Sequence, residues 1–264
     1  MTDRFVDRRY LTGVQYASDA NLSSRQALYR FQDPPVRNPV WTLDLAELRG
    51  DERVLDVGCG NGVHLAELAG RAHRGPVFGM DLSPGMLTAA GSRSRASLLV
   101  GDAEQLPFAA GSLDRVLAMH MLYHVPDRDR AIAEIRRVLR ASGTALFLTN
   151  SCRHLEELND MVAGALTEVG ASTEASSGRA YLGFSSESGD AELRRHFASV
   201  ERHDVRSELV VTDARSIVEY VATMSWIAEA ARPVLREVER RSSAVIEAEG
   251  AFRIRTDVGC FVCR

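Results

Sequence analysis

The chain has 264 residues, 45% of them hydrophobic and 26% charged, with a formal net charge of −4. That length and balance describe an ordinary globular chain with a substantial core, and the acidic surplus argues against a general nucleic-acid binder, which would carry a basic field. No apolar run reaches the roughly eighteen residues of a membrane span, and the N-terminal Met1-Thr-Asp-Arg-Phe-Val-Asp-Arg-Arg9 has no apolar signal core, so a cytoplasmic location is expected.

In chain order, the first fifty residues precede any sheet pattern. Asp19 to Phe31 has the form of a capped helix, and Pro39 to Leu48 that of a second with proline in its first turn, with the Pro34-Pro35 break between them. From Arg53 strand and helix patterns alternate, which implies a parallel sheet covered on both faces. Strands are expected near 53–57, 76–80, 96–100, 113–118 and 144–149, and helices near 63–70, 84–93 and 127–140. The last of these helices carries Ile132, Ile135, Val138 and Leu139 at core spacing. A helix near 153–169 follows, and the Ser- and Gly-rich stretch from Ala171 to Asp190 reads as a loop. A strand near 199–211, helices near 214–225 and 233–248, and the alternating segment from Phe252 to Cys263 complete the series.

Four cysteines, Cys59, Cys152, Cys260 and Cys263, form no disulfide framework in a chain this long. The single Cys260-x-x-Cys263 pair lacks the second pair of ligands a zinc site needs, and in an extended strand its members face opposite sides. No metal is expected.

The segment Val54-Leu-Asp-Val-Gly-Cys-Gly-Asn-Gly62 carries the most chemistry. A short apolar run of the kind a parallel sheet buries meets three glycines that let a ligand touch backbone. The following helix turns its free N–H groups and positive dipole end toward that turn. The spacing is G-x-G-x-G, whereas dinucleotide-binding folds use G-x-G-x-x-G. About twenty residues on, Asp81 ends the second strand, where a carboxylate can accept both hydroxyls of a ribose. Ser83, before Pro84, takes the role of helix cap that Asp81 would otherwise fill. This much suits a nicotinamide dinucleotide as well as S-adenosylmethionine. Asp102 then ends the third strand in Gly101-Asp-Ala-Glu-Gln-Leu-Pro-Phe108, placing an acceptor where an adenine amino group presents donors.

In these motifs, and in Ser112-Leu-Asp-Arg-Val-Leu-Ala-Met-His-Met-Leu-Tyr-His124 with Glu134-Ile-Arg-Arg-Val-Leu-Arg-Ala-Ser-Gly143, the chain resembles the class I S-adenosylmethionine-dependent methyltransferases, specifically the small-molecule subgroup called methyltransferase type 11. The resemblance covers residues 53 to 149. It implies an α/β fold with a doubly wound, seven-stranded, mostly parallel Rossmann-like sheet whose last strand is antiparallel. Residues 1–50 would form a helical lid segment and 51–264 the S-adenosylmethionine-binding domain, with a helical insertion about 212–249 adding to the lid. Carried over by position, Gly58, Cys59 and Gly60 lie against the methionine portion, with Asp56 and Asn61 in the same cofactor-binding set. Leu82 and Met86 flank the adenine, Ala103 and Glu104 accompany Asp102, and Met119 and His120 border the sulfonium. Where the subgroup has Pro before Gly143, Ser142 stands here, a departure confined to a turn.

The resemblance implies methyl transfer to O, N or C of a small metabolite, as in secondary metabolism, with S-adenosylhomocysteine as product; the expected partner is a small-molecule substrate, with no nucleic acid or membrane, and the oligomeric state is left open. The place of an N/D-P-P-Y/F motif, used in methylating base or glutamine amino groups, holds Ala118-Met-His-Met-Leu-Tyr-His124, so those acceptors are disfavoured. His120 and His124 are the candidate proton acceptors, since imidazole titrates near neutrality. Tyr16, Arg25, Tyr29 and Arg30 either close over the ligands or form a solvated helix face, Tyr123 is expected in the core, and Tyr220, Met224 and Trp226, at helical spacing, read first as core packing and otherwise as a pocket lining. The alternative is a S-adenosylmethionine-binding homologue, a cyclase or binding module, that transfers no methyl group.

Overall fold

The computed structural model describes residues 4–171, 183–224, 227 and 231–264. The N-terminal segment holds α1 (Arg8–Tyr10), a π-helical turn at Leu11–Gln15, α2 (Ala20–Leu28), the two-residue strand β1 (Gln32–Asp33) and α3 (Asn38–Leu45). The alternating series follows as β2 (Val54–Val57), α4 (Val63–Gly70), β3 (Val77–Asp81), α5 (Pro84–Arg93), β4 (Ser97–Val100), β5 (Leu113–Met119), α6 (Arg128–Val138) and β6 (Leu139–Asn150). Next come α7 (Glu156–Glu168), α8 (Gly189–Leu193), β7 (Val200–Val211), α9 (Ala214–Val221), α10 (Ala231–Glu249) and β8 (Phe252–Cys263).

All strands join one sheet of order β1-β7-β8-β6-β5-β2-β3-β4. The central ladders are parallel and β8 runs antiparallel to both β6 and β7, giving the seven expected strands with the last reversed. An eighth was not expected: β1 pairs antiparallel with β7 through Gln32 opposite Leu209 and Asp33 opposite Glu208. The loop expected from Ala171 to Asp190 contains the start of α8, and its residues 172–182 lie outside the described set.

Period-two alternation sorts each strand between two cores. Val116 and Ala118 face the layer of α6 and α8 with Ile132, Ile135 and Phe197, while Leu117 and Met119 face the layer of α3 and α4 with Leu43 and Leu68. Cys260 and Cys263 divide the same way, as their spacing predicted, and both are buried and free. A third core unites Leu28 of α2 with Leu158 and Val162 of α7, Ile217 and Val221 of α9, and Val234 and Val238 of α10. The N-terminal and late helices thus share an interior above the sheet. Among the described residues no helix is long and apolar enough to cross a membrane.

The chain moves outward from β2 through β3 to β4, then returns to place β5 on the other side of β2. That reversal leaves a crevice at the carboxyl ends of β2 and β5, the position where open α/β sheets bind ligands.

Candidate active site

A cavity of about 600 Å³ fills this crevice. Its floor is the glycine turn between β2 and α4. Gly58, Gly60 and Gly62 all have positive φ, 66°, 53° and 80°, and a Cβ on Gly58 would come within 2.7 Å of the Met121 side chain. The Cys59 N–H donates to the Met80 carbonyl and the Gly60 N–H to the Asp81 carboxylate, each at 2.9 Å. No side chain caps α4, so its first-turn N–H groups are left for a ligand.

Three side chains at this end hold buried polar atoms with no hydrogen-bond partner: both carboxylate oxygens of Asp56, Oδ1 of Asn61 and Nε2 of His64. Such orphans are rare in folded proteins and call for a bound group. Burial, and secondarily the nearby Asp81, pushes the Asp56 carboxyl up to about 8. Burial likewise pushes His64 down to about 3, helped by the neighbouring His120. Asp81 accepts from the N–H groups of Gly60 and Ser83, one on each oxygen at 2.9 Å, which leaves about half of a carboxylate's roughly four acceptor positions for a diol. Its carboxyl is also raised by burial, against those backbone bonds. Asp102 accepts from the Glu104 N–H at 2.9 Å, and its other oxygen pairs with Arg8 at 2.7 Å. Orphaned acceptors beside a backbone cradle, then a diol-sized acceptor and a third carboxylate, fit the amino-acid end, ribose and adenine of S-adenosylmethionine in order.

The structure brings most of the predicted set to one cavity. Asp56, Gly58, Cys59, Gly60, Asn61, Asp81, Leu82, Met86, Asp102, Ala103, Met119, His120 and His124 all line it. Glu104 does not: its carboxylate pairs with Arg8 at 3.0 Å and accepts from the Asp127 N–H at 3.1 Å. Asn61 donates through Nδ2 to Gln26 at 3.1 Å, which ties the turn to α2. Ser83 caps α5 by accepting from the Met86 N–H and donates to the Tyr16 carbonyl at 2.6 Å.

The two candidate histidines differ sharply. His120 directly follows β5 with φ 54°, its backbone N–H held by the Leu148 carbonyl at 2.8 Å, and burial lowers its pKa to about 4. It is therefore neutral and a weak base at physiological pH. His124 is held at both ring nitrogens: Nδ1 is 2.8 Å from the Phe5 carbonyl and Nε2 is 2.9 Å from the Tyr16 hydroxyl. A carbonyl can only accept, so Nδ1 carries a proton, and in the neutral form of the ring Nε2 accepts from the Tyr16 hydroxyl. Phe5 stacks on the ring at 6.3 Å and Tyr123 meets it edge-on at 4.7 Å.

The Tyr16–His124 pair spans 108 positions and had no sequence signal beyond Tyr16 lying in the covering segment. The same holds for Arg8, and for His154, which is 2.8 Å from the Tyr29 hydroxyl and lowered to about 3 by burial. His64, one residue into α4, was open to inference from the glycine motif and was missed. Tyr123 packs against the core as expected and also lines the cavity with Tyr29, Arg25 and Tyr220. Arg30 turns away to Ser216 and Asp213. Met224 packs in the helical core, and Trp226 lies outside the described residues.

A doubly wound sheet with a reversed last strand, opening on a glycine cradle ringed by three strand-end carboxylates, defines a class I methyltransferase fold. Residues 55–147 match the family model described as a methyltransferase domain. The chain is 37% identical over 110 residues to a malonyl-[acyl-carrier protein] O-methyltransferase of Serratia marcescens, covering 41% of this chain and 42% of that enzyme. It is 34% identical over 149 residues to an aklanonic acid methyltransferase of a Streptomyces species, covering 53% and 66%. Among solved structures, a putative methyltransferase from an antibiotic biosynthesis pathway of Anabaena variabilis superposes with a TM-score of 0.66 at 18% identity, covering 86% of this chain and 96% of that one. Residues 55–147 thus carry a methyltransferase domain, set in a fold shared with solved methyltransferases. The chain's match spans less than half the length of the Serratia relative.

Proposed function

We propose that the protein transfers a methyl group from S-adenosylmethionine to a small-molecule acceptor. The observation that carries this reading is the acidic end of the cavity, where the unpartnered Asp56 carboxylate adjoins the glycine cradle and Asp81. The curated relatives are named a malonyl-[acyl-carrier protein] O-methyltransferase and an aklanonic acid methyltransferase, which supports a small or carrier-borne acceptor. When bound, S-adenosylmethionine supplies a methyl group on an electrophilic sulfonium centre.

The protein's own share is positioning, dryness and a proton site. Backbone of Gly58 to Gly60 with Asp56 and Asn61 would hold the amino-acid end, Asp81 the ribose, and Asp102 with Leu82, Met86 and Ala103 the adenine. Helical cover from Leu11, Tyr16, Tyr29 and Tyr220 lines the cavity and would keep water from the transfer centre once the ligands are bound. Positioning alone contributes about 7–11 kcal/mol in well-oriented reactions. His124 Nε2 receives the acceptor's proton, through the Tyr16 hydroxyl or in its place, and the Phe5 carbonyl stabilises the resulting imidazolium at Nδ1. His120 borders the site as a neutral group.

Calorimetric titration with S-adenosylhomocysteine, then incubation with methyl-labelled S-adenosylmethionine and a metabolite panel, tests the proposal. The expected result is saturable binding and label in a product. Binding without label transfer to any acceptor favours the cyclase or binding-module reading, and tighter binding of NAD would refute both.

A further inference from the structure

Three arginines line the cavity, and two of them are neutralised within the protein. Arg8 pairs with Asp102 and Glu104, and Arg37 with Glu67. Arg25 has no carboxylate partner among the described residues. Its Nε donates to the Thr223 hydroxyl at 2.9 Å, Nη2 to the Thr223 carbonyl at 2.8 Å, and Nη1 to the Tyr16 hydroxyl at 3.4 Å. These acceptors fix the guanidinium without cancelling its charge, and they engage three of its five N–H groups.

The phenols that surround it do not supply the missing anion. Burial raises the pKa of Tyr16, Tyr123 and Tyr220 against the pull of Arg25, so all three remain protonated at neutral pH. A partly buried cation that is oriented by neutral groups and left uncompensated is a binding group awaiting its anion. The two unspent N–H donors of a planar fork match the two oxygens of a carboxylate. The walls beside it are the rings of Tyr29, Tyr123 and Tyr220, apolar in body and polar at the tip.

We propose that Arg25 is the anchor for a carboxylate carried by the methyl acceptor, so that the acceptor is an organic acid with an aromatic or otherwise apolar body. The inference rests on the methyl-transfer reading for what it calls an acceptor. Pairing with a guanidinium withdraws electron density from the carboxylate oxygens, so this carboxylate is a handle, and the methyl group is received at another atom, within reach of the Tyr16–His124 pair.

The test uses the protein loaded with S-adenosylhomocysteine and titrated with cinnamate and 4-phenylbutyrate beside their primary amides. Each acid is expected to bind at least about tenfold tighter than its amide. Arg25→Gln is expected to remove that preference while leaving S-adenosylhomocysteine affinity within about twofold, and Arg25→Lys to keep part of it. Acid and amide binding alike, no acid binding at all, or an undiminished preference in folded Arg25→Gln would each overturn the proposal. If Arg25→Gln fails to fold, the acid–amide comparison on the parent protein decides alone. Should S-adenosylhomocysteine not bind, the methyl-transfer reading falls, and the same comparison on the free protein still decides whether Arg25 holds an anion.

Discussion

At Asp56 a carboxyl group is enclosed with neither oxygen partnered, so its proton affinity reports on what shares the cavity. Its pKa in the folded chain, about 8, lies above the ordinary 3.8, which means the folded state binds that proton more tightly than the unfolded state. Stability from this group is therefore fully present in acid and declines as pH rises from 3.8 to about 8. Asp56→Asn removes the decline. Melting curves of the free protein are expected to show the variant gaining on the parent between about pH 5 and about pH 8, while its S-adenosylmethionine affinity falls by tenfold or more by calorimetry. A constant difference in melting temperature across that range would remove Asp56 from the argument. The histidines make a second contrast. His124→Ala is expected to lower turnover by about 10²-fold or more, with S-adenosylhomocysteine binding retained, and Tyr16→Phe to have a smaller effect in the same direction. His120→Ala is expected to change turnover far less, because burial holds that imidazole at about 4; the reverse order in single-turnover assays would move the proton site to the end of β5.

The parts of the fold that a single element encodes were legible in the chain. β2 and the second half of β5 are runs buried on both faces, and α4 and α5 begin where Gly62 and the Ser83-Pro84 pair place them. The glycine turn was legible for the same reason, since three successive positive-φ positions within five residues demand glycine. Gly62→Ala tests that demand: its Cβ would lie 2.9 Å from the Ala90 backbone of α5, at a φ of 80°. Urea unfolding is expected to show a loss of about 2–4 kcal/mol, and a loss near zero would mean that α4 and α5 can separate freely. What was not legible joins distant positions. β1 has two residues and no periodicity to announce it, and its partners lie near position 208. The acceptor end of the cavity depends on Arg25 reaching Thr223, a separation of 198 residues, and on Tyr16 reaching His124. Residue types hint at such a site, but only the fold shows which of them meet.

In the whole molecule the cavity has a fixed half and a covering half. The sheet ends and glycine turn form the first; α1, α2, the π-helical turn and α9 form the second. The covering elements come from opposite regions of the chain yet are fastened together by Arg25 and Gln15 on Thr223, Arg30 on Ser216, and Leu28 in the core of α7, α9 and α10. Hydrogen exchange is expected to give α2 and α9 the same opening free energy, and S-adenosylhomocysteine to slow both together. Slowing confined to one helix would show that they open separately. The two residue pairs of β1 on β7 carry this further. That short ladder sits just after α2 and just before α9, so it ties the two halves of the cover together at their roots, and the joint opening expected from hydrogen exchange would turn about it. Under the proposed methyl transfer, spent cofactor and methylated product would then leave through one shared opening, and its frequency would be the ceiling on turnover.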